Sequence, residues 1–337
     1  MTNPILKRRD FLAASAASLF FLSAGRSASA KTTGFRFITP FTYSLSFAPV
    51  LYASAAGYYD DAGLTVEVQA ANGAAMAAQM VLAGQMDSGR TGGTNYLISR
   101  VNHGAPLISI ATIAQLSPFY IISSIKNPVK NVADLVGRTV GMASLGGSME
   151  GTLNLMMRKG NLATDKVNKV KVADSAASFA LIEAGRAGAF IGNTSSMVKA
   201  KAVRKDVFAI PMDDGMPGQV YVAQEKDISA NPDKYVAFLK ATHRSALEIA
   251  TAKDLQPIIK AIMAKYTMPG LNDMKTAELN LSENARGWVA KGNDNLLRNI
   301  PELWAAAVTT LHDAGMINSA PDPKTLYTND LLDKAIR

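Results

Sequence analysis

Several stretches carry residue types that could hold a small molecule. Phe41-Thr42-Tyr43-Ser44 offers two rings to stack on or wall a solute, and hydroxyls to donate hydrogen bonds. The alternative for Phe41 and Tyr43 is capping of the core. Ser144-Leu145-Gly146-Gly147-Ser148 precedes a helical stretch. Its two glycines let backbone approach closely, and N–H groups at a helix N-terminus suit an anion or a carbonyl oxygen. Ser148 is also placed to cap that helix. Thr91-Gly92-Gly93-Thr94 and Gly192-Asn193-Thr194-Ser195 form a third pattern, offset by 101 residues. Each follows an Ala-Gly turn and a short strand. Arg90 stands just before the first of these loops, where it can pair with an anionic solute or with Asp87. Gln115, Asn193 and Asp213 are further polar residues at strand ends.

Catalytic chemistry has little to draw on. There is no cysteine, which removes disulfide scaffolds, thiolate zinc sites, iron–sulfur clusters and cysteine nucleophiles together. His103, His243 and His312 lie far apart and read as ordinary surface or helix residues. Gly146-Gly147-Ser148-Met149-Glu150-Gly151 misses the G-x-S-x-G nucleophile elbow by one residue. No P-loop and no G-x-G-x-x-G after a strand occurs. These features point away from an enzyme, and to a protein with neither metal nor organic cofactor.

The N-terminus reads as an export signal. Lys7-Arg8-Arg9-Asp10-Phe11-Leu12 leads into a small apolar run from Ala13 to Ala24, and Ala28-Ser29-Ala30 supplies the small residues of a cleavage site. The paired arginines mark it as a twin-arginine signal over residues 1–30. Removing that segment, with Lys7, Arg8, Arg9 and Arg26 against Asp10, lowers the net charge from +8 to +5. No basic run of nucleic-acid type survives; Lys199, Lys201, Arg204 and Lys205 read as one solvated helix face. With 337 residues, 48% apolar and 18% charged, the rest is globular with ample core.

The elements that must position the loops alternate. Strands are expected at 34–41, 64–69, 86–90 and 107–114, with helices at 48–61, 74–83 and 95–102 between them. The run Leu107 to Ala114 is almost wholly apolar, as in a strand buried on both faces. After Ser117-Pro118 the theme restarts: strands at 119–123, 139–143, 167–172, 189–191 and 207–212, helices at 132–135, 148–159, 176–184 and 196–204. A strand at 220–224 follows a turn-rich segment, and from Asn231 onward nearly everything reads as helix. Trp288 and Trp304 sit at amphipathic positions that imply core packing. The pattern implies parallel sheets with helices on both sides, and ligands at the carboxyl ends of the strands.

Several segments in order resemble the nitrate/sulfonate/taurine group of ABC-transporter solute-binding proteins, whose superfamily also contains binders of thiamine-pyrimidine precursors. They are Phe47-Ala48-Pro49-Val50, Ala56-Gly57-Tyr58-Tyr59, Ala62-Gly63-Leu64-Thr65-Val66-Glu67, Leu82-Ala83-Gly84-Gln85-Met86-Asp87, Gly104-Ala105-Pro106, NVADLVGRTV from Asn131 to Val140, and Tyr327-Thr328-Asn329. Gly188 stands where an Asp is common in that group, and Arg90 where an aromatic or apolar residue is usual. The resemblance implies a type II periplasmic binding protein with two doubly wound α/β lobes, residues 34–116 with 221–337 and residues 117–220. A cleft between the lobes would close on a small solute, drawing on the loops above, Thr91, Gly92, Gly93, Gln115, Asn193, Thr194 and Asp213 included. The implied role is capture of a sulfonate, taurine or nitrate type anion and delivery to membrane permease subunits, by a monomer. A heteroaromatic solute, such as a pyrimidine precursor or aromatic carboxylate, and service as a sensor subunit are the alternatives.

Overall fold

The computed structural model describes residues 32–212, 215–268, 271 and 273–337. The expected export signal and Asp213 lie outside the described residues. These form ten strands: β1 Thr33–Thr39, β2 Leu64–Ala70, β3 Ser88–Gly92, β4 Leu107–Ala114, β5 Phe119–Ser124, β6 Thr139–Met142, β7 Asn168–Lys171, β8 Ala189–Asn193, β9 Val207–Pro211 and β10 Gln219–Gln224. They build two five-stranded sheets, ordered β2-β1-β3-β10-β4 and β7-β6-β8-β5-β9.

The sheets are mixed, not wholly parallel as expected. β1 runs parallel to β2 and β3, but β10 is antiparallel to β3 and β4. β6 runs parallel to β7 and β8, while β5 is antiparallel to β8 and β9. The two reversed strands are those that follow a passage of the chain from one sheet to the other. Apolar content and alternation reveal a strand, but not its direction.

The 101-residue echo is structural. β3 and β8 each occupy the third place of their sheet, and each runs directly into a helix, Gly93–His103 and Thr194–Val203. Both repeats are entered through a glycine that ends the preceding helix, Gly84 at φ +70° and Gly185 at φ +66°. A side chain is strained there, which is why glycine holds both places. The helix expected over 48–61 is in fact two, Ala48–Ala55 and Tyr58–Asp61.

The C-terminal helices cover the first sheet. Phe238, from helix Pro232–Thr251, stacks on Phe35 at 4.4 Å between ring centres and lies against Phe37 and Tyr59. Trp288 and Trp304 are both fully buried, as their positions implied. The Tyr327-Thr328-Asn329 segment is a tether. Asn329 exchanges hydrogen bonds with the Asn299 backbone at 2.9 and 3.0 Å, and Asn299 Oδ1 accepts from Ser109 and Thr112 of β4, each at 2.9 Å.

Candidate functional site

Strand ends of both sheets meet around one cavity of about 800 Å³. From the first sheet it receives Phe41, Thr42, Tyr43 and Ser44, which follow β1, and Asn72, which follows β2. From the second it receives Lys171 to Ala176 at and after the end of β7, and Asn193, Ser195, Ser196 and Lys199 at and after the end of β8. Tyr43 is held in place, its hydroxyl donating to the Val68 carbonyl at 2.6 Å and its ring edge-on to Tyr266.

The floor on the second sheet is built around Asp174. Its Oδ1 accepts from the Asn193 N–H at 3.1 Å and from the Ser196 hydroxyl at 2.7 Å. Asn193 caps helix Thr194–Val203 by accepting from the Ser196 N–H at 3.0 Å. Burial pushes the Asp174 carboxyl above the usual carboxylate range, against the pull of Ser196, Asn193 and the charge of Lys199. Burial conversely lowers the Lys199 ammonium, opposed by Asp174. Two buried polar atoms of cavity-lining residues have no protein partner: Oδ2 of Asp174 and Oγ of Ser44. Buried polar atoms are nearly always hydrogen-bonded, so these two, one on each side of the cavity and both shut off from its open space, are exceptions that a rearrangement of the walls around a solute would satisfy.

The remaining expected residues lie elsewhere. Ser144, Gly146, Gly147 and Ser148 do not line this cavity; they form the contact between the two sheets' strand ends. Ser148 Oγ accepts from the Gly92 N–H at 2.8 Å, and Asn95 donates to the Gly146 carbonyl at 2.8 Å. A Cβ on Gly92 would stand 2.6 Å from that of Ser148, and one on Gly93 would stand 1.9 Å from the Pro217 carbonyl oxygen. The glycines thus serve close approach of protein to protein. Ser148 is not the helix cap; Gly147 holds that place. The Gly146 N–H, expected to be available to an anion, donates instead to Glu150 Oε2 at 2.7 Å. Thr91 is buried within β3. Gln115 points to the C-terminal segment, donating to the Asn295 carbonyl at 2.6 Å. Arg90 does not pair with Asp87, which binds Lys234 at 2.9 Å and Arg36. Arg90 and Thr194 line a separate cavity of about 200 Å³.

The sequence does not single out Asn72, Lys171, Asp174 or Ser196, and Lys199, expected on a solvated helix face, is half-buried against the cavity instead. One signal was available: Asp174 closes the run Val167 to Val172 with an acid at a strand's carboxyl end, where ligands sit.

Residues 44–253, more than half of the chain, match the family described as NMT1/THI5 like. The chain belongs to the NMT1/THI5-like family. No curated protein matches it in sequence. Among solved structures, this NMT1/THI5-like chain is similar to a protein of Bordetella bronchiseptica RB50 at 21% identity and a TM-score of 0.74, over 90% of this chain and 97% of that one. It is similar to the alkanesulfonate-binding protein SsuA of Xanthomonas axonopodis pv. citri, solved with MOPS, at 13% identity and a TM-score of 0.66, over 89% and 99%. It is also similar to the periplasmic nitrate-binding protein NrtA of Synechocystis PCC 6803, at 14% identity and a TM-score of 0.66, over 91% and 88%. The desulfurization enzyme DSZB shares the fold at 13% identity and a TM-score of 0.55, over 90% and 99%. These likenesses establish the α/β periplasmic-binding-protein fold for this NMT1/THI5-like chain.

Proposed function

We propose that this protein is the solute-binding component of an ABC importer, which closes on a small organic solute between its two lobes and delivers it to permease subunits. The observation that carries this is the cavity itself, lined by strand-end loops of both sheets, with two unpartnered buried atoms, Ser44 Oγ and Asp174 Oδ2, just behind its opposite walls. A cavity of about 800 Å³ has the size of a small-molecule site. The lobes are residues 34–116 with 221–337 and residues 117–220. The twin-arginine signal would place a monomer in the periplasm after cleavage near Ala30. With no cysteine in the chain, and none of its three histidines lining the cavity, capture rather than catalysis is the reading.

Asp174 supports one solute class over another. A carboxylate in the floor accepts from a ring N–H, an amine or a hydroxyl, and it repels a simple anion. Phe41 and Tyr43 supply flat apolar wall. A heteroaromatic or amine-bearing solute therefore fits better than nitrate. A second reading, a sulfonate or carboxylate solute, is favoured by Lys171 and Lys199 on the same wall. One solute carrying both a donor and an acidic group satisfies all of these residues. The test is a thermal-shift screen of aminopyrimidines, aromatic carboxylates, amino sulfonates, alkyl sulfonates and nitrate on the mature protein. A ligand at a hundredfold excess over Kd stabilises the bound form by about 2.7 kcal/mol, easily read as a shift. A hit among donor-bearing solutes supports the reading; a hit confined to nitrate and simple sulfonates overturns the assignment to Asp174.

A further inference from the structure

Arg90 is 3% exposed, at the junction of the two sheets. Its Nε donates to Gln219 Oε1 at 3.2 Å, its Nη1 donates to the Ser46 carbonyl, and the Phe47 ring lies 5.0 Å from its Cζ. All three partners are neutral. No carboxylate among the described residues forms an ion pair with Arg90, and none of those residues accepts a bond from its Nη2. Neutral partners spread a buried charge without cancelling it, and buried charges are ordinarily paired.

Beside the guanidinium lies the cavity of about 200 Å³, walled by the 114–120 passage between sheets, by Thr194 and by helix Met274–Trp288. It shares no lining residue with the larger cavity. Glu283 and Arg286 also line it, but they pair with each other at 2.6 Å, so together they add little net charge. The space exceeds several-fold the volume of one water. A buried cation with no counter-charge among the described residues, and room beside it, make an anion site.

We propose that this cavity holds a small inorganic monoanion of halide or nitrate size as the counter-ion of Arg90. This goes beyond the solute site, since the two cavities are separate. The walls come from both sheets: Arg90 from β3, and Thr194 from the helix that follows β8. An anion held there would favour the arrangement in which the strand ends meet, coupling solute capture to the anion.

The probe is bromide. Mature protein in gluconate buffer is titrated with sodium bromide at constant ionic strength while its melting temperature is followed. Crystals grown in bromide are read for anomalous scattering. The expected result is a saturable rise in melting temperature and a bromide peak beside Arg90 Nη2. Arg90→Gln should abolish the saturable rise. Because Arg90→Gln also disturbs Ser46 and Gln219, Gly287→Leu is the second variant. Gly287 lines the cavity and a Cβ there meets no neighbour within 4 Å, so the added side chain takes up the room and should weaken bromide at least about tenfold. An equal, non-saturating rise in all three proteins, or a cavity without bromide, would overturn the proposal.

Discussion

Ser46 and Ser195 meet hydroxyl to hydroxyl at 2.9 Å, 149 residues apart in the chain and on different sheets' connections. Both are buried. Ser195 Oγ donates on to Asn280 Oδ1 at 2.7 Å, and Asn284 Nδ2 donates to that same oxygen at 2.9 Å. A buried polar network thus ties helix Thr194–Val203 to helix Met274–Trp288 and to the loop after β1. Ser195→Ala removes its centre and leaves amides short of partners. The expected cost is about 1–3 kcal/mol of unfolding free energy, read by urea denaturation. Ser46→Ala should cost less, and the double variant less than the sum, because the two hydroxyls share one network.

The glycine contacts make a second forecast. Gly92→Ala places a methyl 2.6 Å from the Ser148 Cβ, so the strand ends cannot meet as they do here. Gly146→Ala meets no neighbour but forces a side chain to φ +70°. Gly146→Ala should lower stability by about 1 kcal/mol through strain alone and leave solute affinity nearly intact. Gly92→Ala should weaken solute binding as well, because closure is hindered. Melting curves and calorimetric titrations of both variants separate the two effects.

Much of this was legible beforehand. The succession of strands and helices along the chain is legible in apolar runs stopped by glycines, and the Ala-Gly repeat at 83–87 and 184–188 marks two equivalent units. The reversed direction of β5 and β10 was not legible, since direction depends on where the chain passes between sheets. The Phe41 to Ser44 loop and Asn193, expected at strand ends, line the larger cavity. The glycine loop at 144–148 was read as a ligand cradle because close approach to a ligand and close approach to protein demand the same residues. Asp174 escaped because its role comes from Ser196, Asn193 and Lys199, which the helix after β8 brings in from some twenty residues away.

Two carboxylates should show opposite pH behaviour. Burial raises the Asp87 carboxyl, but the hydrogen bonds from Lys234 and the Arg36 N–H and the charges of both residues outweigh it and hold it below the usual range. Its contribution is therefore present above the ordinary carboxylate pKa and lost as pH falls through the lowered value. Asp174 is raised instead, so its ionised form weakens the fold at neutral pH and that penalty disappears on acidification. Asp87→Asn should destabilise at neutral pH, and the deficit should shrink in acid. Asp174→Asn should melt at or above the wild-type temperature at neutral pH, and the wild type should gain on it as pH falls. Melting temperatures across the carboxylate range check both.

Export makes an independent prediction. Replacing Arg8 and Arg9 by Lys should leave unprocessed precursor in the cytoplasm, detected by fractionation and immunoblotting. Normal periplasmic delivery of that double variant would refute the twin-arginine assignment.

The central claim is that one solute is held between Ser44 and Asp174, by residues of both sheets. Titration calorimetry with the strongest solute from the screen tests it, comparing wild type with Phe41→Ala on one wall and Asp174→Asn on the other. Each variant should bind at least about tenfold more weakly, a loss of roughly 1.4 kcal/mol, while both remain folded. Wild-type affinity in both variants would contradict the account and move the solute out of this cavity.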